Sequence, residues 1–119
     1  MFEEADLIHS YSRVQALADG VLVDVSPLAR LLGFRYPMAV TAGVYAAVTT
    51  GVTSEAALQG RMDRMLRALP EAVRQGAADE DTIEFTVALT PQLSLSLRSS
   101  IGPGDTPDPV LTVLLPDED

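Results

Sequence analysis

The spacing of apolar residues changes once along the chain, and this change constrains the possible folds more than any other feature. Between Ser54 and Pro70 apolar side chains recur every three or four residues, which predicts an amphipathic helix. The apolar face of this helix contains Leu58, Met62, Met65, Leu66 and Leu69. From Thr82 to Thr90 apolar and polar residues alternate, which predicts a strand with one buried face. Helices followed by strands are typical of an α+β fold.

The alternating pattern continues beyond this first strand. Pro91-Gln92 predicts a turn, and the leucines that alternate with polar residues after it predict a second strand, paired with the first as an antiparallel hairpin. Gly102-Pro103-Gly104-Asp105 predicts a tight loop, and a third strand is expected over Val110–Leu115. The predicted β meander therefore occupies residues 82–115, and an acidic tail follows at 116–119.

The N-terminal part is predicted to be mainly helical over residues 10–76, after a flexible arm over residues 1–8. Val21–Val25 is rich in β-branched residues and is expected to form a short strand, which makes it a candidate fourth member of the sheet. Ser26-Pro27 predicts a helix start, because the hydroxyl can accept a backbone N–H and proline is tolerated at the first helical position. Gly33 predicts the end of this helix.

Two further prolines divide the helical region. Tyr36-Pro37 predicts the start of another helix, which runs toward Thr50. Pro70 predicts either the end of the Ser54 helix or a kink in it, because proline lacks the backbone donor. We therefore expect a single domain, residues 1–119, in which N-terminal helices pack on one face of a small, mainly antiparallel sheet.

The composition of the chain excludes several classes of function. Among 119 residues there is no Cys and one His, which excludes disulfides, thiol catalysis and cysteine-based zinc sites. The chain has 17 acidic residues and eight arginines, no lysine, and a net charge of −9. It shows neither a secretory signal nor an apolar stretch long enough to span a membrane. We expect a cytoplasmic binding protein that is not an enzyme and needs no cofactor.

His9 is the one candidate for acid–base catalysis. Asp6 lies three residues before it, and Ser10 and Ser26 are candidate nucleophiles. The chain lacks the Gly-x-Ser-x-Gly turn that positions a nucleophilic serine in many hydrolases. A catalytic histidine must lie within about 3 Å of its nucleophile, which an N-terminal arm achieves poorly. We predict no catalytic residues.

Two acidic runs, Asp79–Asp81 and Asp117–Asp119, are the candidates for metal binding, since Ca²⁺ and Mg²⁺ prefer carboxylate oxygens. Neither run has the spaced ligands and central glycine of a calcium-binding loop. Adjacent acidic residues in a linker or a tail are usually solvated. We predict no metal site.

The helix that precedes the strands carries Arg61, Arg64 and Arg67 on one face. Such a face is a candidate for binding nucleic acid, but a domain with a net charge of −9 is repelled by phosphates. We expect instead that these arginines form intramolecular ion pairs with Glu71 or with the acidic end of the chain.

Negative charge is concentrated after Ala78, where nine acidic residues accompany one arginine. This asymmetry predicts a surface that meets a basic partner. The predicted partner is the basic groove of a nucleic-acid-handling protein or effector complex, and neither direct nucleic-acid binding nor membrane binding is expected. The residues predicted for this surface are Asp79, Glu80, Asp81, Glu84, Asp105, Asp117, Glu118 and Asp119.

Five segments carry a resemblance to a known family. They are Tyr11–Ser26, Gly33–Thr41, Gly60-Arg61, Gly102–Asp105 and Leu115–Asp119. Together they span nearly the whole chain and resemble an uncharacterised family, a domain of unknown function, of small acidic proteins carried on bacterial plasmids, phages and other mobile elements. That family usually has tryptophans in the helix of Arg61 and no proline at the position of Pro70, and this chain departs from it at both points.

The resemblance implies a habitat in which small proteins often counter host defence. Our leading hypothesis is an inhibitor of a host defence nuclease or effector complex, an anti-CRISPR or anti-restriction protein that acts through its acidic surface. The alternative is a plasmid or phage accessory domain that binds a host protein or a small ligand; a homodimer is a candidate state for either. The alternative function uses a second surface. The residues predicted for it are Tyr11, Arg13, Gln15, Asp19, Arg35 and Tyr36.

Overall fold

The structure is a computed structural model that describes residues 12–75 and 82–118. Within these ranges the helices are α1 (Arg13–Ala18), α2 (Ser26–Leu31), α3 (Ala42–Thr49) and α4 (Glu55–Gln75). The strands are β1 (Leu22–Asp24), β2 (Met38–Thr41), β3 (Thr82–Thr90), β4 (Leu93–Pro103) and β5 (Pro109–Leu114). None of the described helices is both long and apolar enough to cross a membrane. The arm predicted over residues 1–8 lies outside the described residues.

The five strands form one sheet in the order β1-β2-β5-β4-β3. The central pair, β2 and β5, is parallel, with Val40 opposite Val113, and the other three pairs are antiparallel. The β3–β4 hairpin and the β4–β5 pair confirm the predicted meander, and β1 confirms the short strand expected over 21–25. The α+β class and the mainly antiparallel sheet are therefore confirmed.

One face of the sheet, the inner face, packs against α2, α3 and α4. The apolar residues of β3 and the leucines of β4 turn toward this face, as the alternating pattern predicts. The largest fully buried side chains are Met38, Val40, Val44, Val48, Met65, Leu66, Leu69, Leu89, Leu97 and Val113. Removal of this apolar surface from water is the main stabilising contribution to the fold, at about 25 cal/mol per Å².

The opposite face, the outer face, is covered in part by α1, which packs on β1. Ala39 turns toward this face, next to Asp24 on one side and Thr112 on the other, and is nevertheless almost completely buried. Ala16 of α1 is buried as well. Helices cover one face as predicted from α2 onward, whereas α1 lies on the other face.

The prediction of a helix that starts at Tyr36-Pro37 is wrong over residues 38–41, which form β2. The three buried residues of this strand are Met38, Ala39 and Val40. A strand with both faces buried is a continuous apolar run, so no alternation distinguishes it from a buried helix. The helix begins four residues later, at Ala42, where Thr41 Oγ1 accepts a hydrogen bond from Val44 N at 3.2 Å.

At the start of α2 the capping differs from the sequence prediction, and at Pro70 one of the two predicted outcomes, the end of the helix, is wrong. Ser26 does not cap α2, because its hydroxyl accepts from Met38 N (2.9 Å) and donates to Met38 O (3.2 Å), which joins α2 to β2. Pro70 lies inside α4, which continues to Gln75. The neighbouring turns of this long helix retain their hydrogen bonds, so one missing donor does not end it.

Candidate functional site

Acidic residues from distant parts of the chain meet at one end of the sheet. Asp24 ends β1, and Asp105 and Asp108 lie in the loop between β4 and β5, beyond the paired residues Pro103 and Pro109. β3 begins at this end with Thr82. Strands in a sheet are about 4.8 Å apart, so the end is roughly 20 Å wide from β1 to β3. We call Asp24, Asp105 and Asp108 the acidic end.

The loop that carries Asp105 differs from the predicted tight turn. Gly102 and Pro103 extend β4, and the loop is closed by a hydrogen bond from Gly104 N to Asp108 O at 3.3 Å. Asp105 of this loop lies on the side of the sheet where α1 lies.

The carboxylate of Asp105 binds the first turn of α1. It accepts hydrogen bonds from Arg13 N at 2.7 Å and from Val14 N at 3.0 Å. These N–H groups have no partner within the helix, so a carboxylate there satisfies donors and complements the positive end of the helix dipole. Ser12 and Gln15 complete the same helix start with a reciprocal capping box. Asp105 is therefore engaged within the molecule.

The side chain of Arg13 crosses the outer face from α1 to β5. It donates to Thr112 Oγ1 at 2.9 Å and to the Leu111 carbonyl at 2.8 Å. Burial lowers the pKa of Arg13 from its ordinary value, while the charges of Asp105 and Asp24 oppose that effect. Its guanidinium is thus a half-buried cation whose described partners are uncharged oxygens.

A cavity of about 230 Å³ lies between α1 and the edge of the outer face, beside Arg13. Its walls are mostly apolar, and its polar groups come from Arg13, Asp24, Ser26 and Asp105. The apolar lining residues are Val14, Leu17, Pro37, Met38, Ala39 and Val110. We call this the Arg13 cavity; it brings a cation and two carboxylates to the rim of a small apolar space.

A second polar network lies farther along the outer face. Arg98 of β4 lies opposite Glu84 of β3 in the strand register. Its guanidinium donates to the backbone carbonyl of Glu118. The Glu118 carboxylate accepts from Thr41 Oγ1 at 2.7 Å and from Leu115 N at 2.8 Å. These contacts fix the C-terminal segment against β2 and β4.

The acidic residues predicted for partner binding divide into three groups. Asp79, Glu80, Asp81 and Asp119 lie outside the described residues. Glu84 and Asp117 are exposed, whereas Asp105 and Glu118 are engaged in the contacts given above. The structure therefore places the described members at two separate positions rather than in one patch.

The predicted second surface is brought together in part. Arg13 and Pro37 line the same cavity, which places the exposed Arg35-Tyr36 segment next to α1. Asp19 forms the C-terminal cap of α1, and Gln15 is exposed within it. Tyr11 lies outside the described residues. The sequence did not indicate the partners of Arg13, because they lie about 100 residues away in the chain.

The arginine face of α4 is turned toward oxygen atoms of the protein itself. Arg61 donates to the carbonyls of Val48 (3.0 Å) and Thr50 (2.7 Å). Arg64 donates to the carbonyl of Leu89, at the end of the edge strand β3, at 2.5 Å. The ion pairs expected with Glu71 or with the acidic residues after Ala78 involve side chains that lie in part outside the described ones, and they stay a prediction.

Arg67, the third member of this face, forms an ion pair on α4 itself. Its Nε lies 2.7 Å from Oδ2 of Asp63, one helical turn earlier, with 65% of the Arg67 side chain and 36% of the Asp63 side chain exposed. Asp63 is not among the predicted partners of Arg67. Interaction between residues four apart is the common arrangement of charges on a helix surface.

The candidate catalytic and metal residues have no assembled site in the described part of the chain. Ser26 is buried and its hydroxyl is committed to the backbone of Met38. Asp6, His9 and Ser10 lie outside this part. No group of three or more His, Cys, Asp or Glu side chains that could hold a metal ion occurs among the residues described.

Comparison with known proteins gives one match. A family model described as "Family of unknown function (DUF6573)" matches residues 1–119. The comparison with curated proteins and the comparison with solved structures both give no match.

Proposed function

We propose that this chain, which belongs to DUF6573, a family of unknown function, binds a basic partner protein. In this proposal it does not act by catalysis. The observation that carries the proposal is the direction of the arginine side chains. They are the only basic side chains that stay charged at neutral pH, and there are eight of them against 17 acidic residues.

Most of the described arginine contacts are with uncharged oxygens. Arg13, Arg61, Arg64 and Arg98 donate to carbonyl groups, and Arg13 also to a hydroxyl. Arg67 differs, because it pairs with Asp63. These four described arginines direct their charge at backbone carbonyls, and the chain as a whole carries an excess of carboxylates over arginines, with a net charge of −9. A surface of this kind attracts basic proteins and speeds their association.

A basic groove that normally holds nucleic acid is the partner that this charge suits best. In this proposal the protein inhibits a defence nuclease or effector complex. The gene that encodes it is carried by plasmids, phages or other mobile elements. The resemblance described above supports the habitat, and the net charge of −9 supports the type of partner.

Inhibition of DNA cleavage tests the proposal directly. A purified RNA-guided DNA nuclease and a purified restriction endonuclease are assayed with increasing amounts of the protein. The assay is run at about 0.01 M salt, where the Debye length is about 30 Å, and at about 0.15 M, where it is about 8 Å. We expect the wild type to inhibit at least one enzyme, and more strongly at low salt.

Two charge-matched double variants separate the acidic surface from net charge. Asp81→Asn with Glu84→Gln removes two charges from the predicted acidic surface, and Asp63→Asn with Glu71→Gln removes the same charge from α4. We expect the first pair to weaken inhibition about tenfold and the second to change it less than about twofold. Failure of the wild type to inhibit either enzyme, or equal loss in both variants, would overturn the proposal.

A small-ligand function is the second candidate, and the Arg13 cavity is the observation that favours it. A half-buried guanidinium at the rim of an apolar space of about 230 Å³ suits a small carboxylate with an apolar body. Short-chain fatty acids are suitable probes. Chemical-shift changes confined to Leu17, Ala39 and Val110 would support this function, and no change at millimolar ligand would contradict it.

A further inference from the structure

A groove on the helical side of the molecule shares Asp24 with the lining of the Arg13 cavity, and its other lining residues are different. It lies between α2 and the first turns of α4 and has a volume of about 340 Å³. Its apolar walls come from Val25, Pro27, Leu28, Leu31, Leu58 and Met62. The groove is therefore a gap in the helical layer that opens next to the core.

Leu31 stands at this groove with 83% of its surface exposed, more than any other large apolar side chain described. Single exposed leucines are common on protein surfaces. A leucine that protrudes beside an apolar groove differs from them, because the same patch offers both a protrusion and a space of matching chemistry.

The charges around the groove are also complementary. Glu55, which is exposed, is the acidic residue that α4 contributes to its lining. Arg30, which is exposed, directly precedes Leu31 in α2. The exposed Arg30 thus lies next to Leu31 on the surface of α2, and the exposed Glu55 lies at the groove.

We infer that a second copy of this chain docks on this groove and forms a two-fold symmetric dimer. In such an interface one patch meets itself, so each copy must supply both the protruding and the receiving surface. Leu31 of each copy enters the groove of the other, and Arg30 of each copy faces Glu55 of its partner. The inference stands on different residues from the proposed function and does not depend on it.

Sedimentation equilibrium, or light scattering after gel filtration, measures the association. The wild-type mass rises with concentration from the 12.7 kDa of one chain toward twice that value, with a dissociation constant in the micromolar range, on the order of 10 μM. Leu31→Glu places an acidic side chain against the acidic groove and remains at the mass of one chain. The substitution leaves the fold intact because the side chain is exposed, and circular dichroism checks this.

Val21→Glu is the matched control. Val21, like Leu31, is an exposed apolar residue, with 50% of its surface accessible. It lies in the turn before β1 and does not line the groove. This variant is expected to dimerise like the wild type. Equal dissociation of both variants would show that added negative charge, not the groove, is responsible, and would overturn the inference.

Charge reversal tests the orientation of the two copies. Arg30→Glu and Glu55→Arg are each expected to raise the dissociation constant about tenfold, and the double variant to restore it. A wild type that keeps the mass of one chain up to about 1 mM would overturn the dimer. If the double variant does not regain the wild-type dissociation constant, the proposed pairing of Arg30 with Glu55 is overturned.

Discussion

The two faces of the sheet are held by different kinds of contact. On the inner face α3 and α4 pack through apolar side chains, and Leu66 and Val48 are completely buried there. On the outer face α1 is held largely by directed hydrogen bonds. Asp105 binds its first turn, and Arg13 reaches from it to β5.

This difference separates what a sequence pattern can indicate from what it cannot. Apolar burial depends on area, so any residue of suitable size on the correct face contributes. The hydrogen bonds that hold α1 on the outer face join residues that are 91 to 99 positions apart in the chain. Each of them depends on one donor and one acceptor, so single substitutions should distinguish the faces.

The largest effect is expected on the inner face. Leu66→Ala leaves a cavity in the core beneath the sheet and should lower the free energy of unfolding by about 2–5 kcal/mol. Urea denaturation followed by circular dichroism measures it. Val21→Ala, at an exposed position, should change it by less than about 0.5 kcal/mol. Similar losses from both variants would show that the inner face is not a packed core.

Arg13→Ala is expected to have the largest effect on the outer face. It removes the donors to Thr112 and to the Leu111 carbonyl, together with the packing of a half-buried stem, and should cost about 2 kcal/mol. The same denaturation experiment tests it, with Arg35→Ala as the exposed control. An unchanged stability of Arg13→Ala would mean that α1 does not depend on this contact.

Asp105→Ala should have a smaller and more local effect. Loss of the acceptor for two helix N–H groups is expected to cost about 1–2 kcal/mol. Hydrogen exchange should accelerate at the amides of Arg13 and Val14. Asp108→Ala, in the same loop, should leave both amides protected, and acceleration in both variants would indicate general opening of the loop instead.

The smallest effect is expected for the ion pair on the surface of α4. A double-mutant cycle with Asp63→Ala and Arg67→Ala should give a coupling of about 0.3–0.5 kcal/mol, since the two side chains are 36% and 65% exposed. The coupling should vanish at about 1 M salt, where the Debye length is about 3 Å. A coupling that persists there would contradict an exposed, screened pair.

The parts of the fold that could be predicted are the helices and strands whose apolar residues lie on one face. The alternation from Thr82 onward and the apolar stripe of α4 identify residues that the structure places in the core, such as Phe85 and Met65. β2 was not predictable, because its residues are buried on both faces of the sheet and show no alternation. At Pro70 the sequence left the end of the helix and a kink as alternatives, and the structure shows that α4 continues to Gln75.

The candidate site was predictable in composition and not in arrangement. The sequence shows where acidic residues and arginines occur, and it associates Arg13 with Arg35 through a family resemblance. It does not show that Asp105 is bound to the start of α1 or that Glu118 is bound to Thr41. Such contacts form when the sheet brings distant segments together, and no local spacing encodes them.

The sequence by itself determined the fold class, the β meander, the apolar faces and the excess of negative charge. These are properties of composition and of short-range periodicity, and each stretch of chain carries its own share of them. Only the tertiary structure decided the order of the strands, the position of α1 on the outer face and the partner of each arginine. Those depend on which distant backbone and side-chain groups must satisfy one another once water is excluded, and this is a property of the assembled chain.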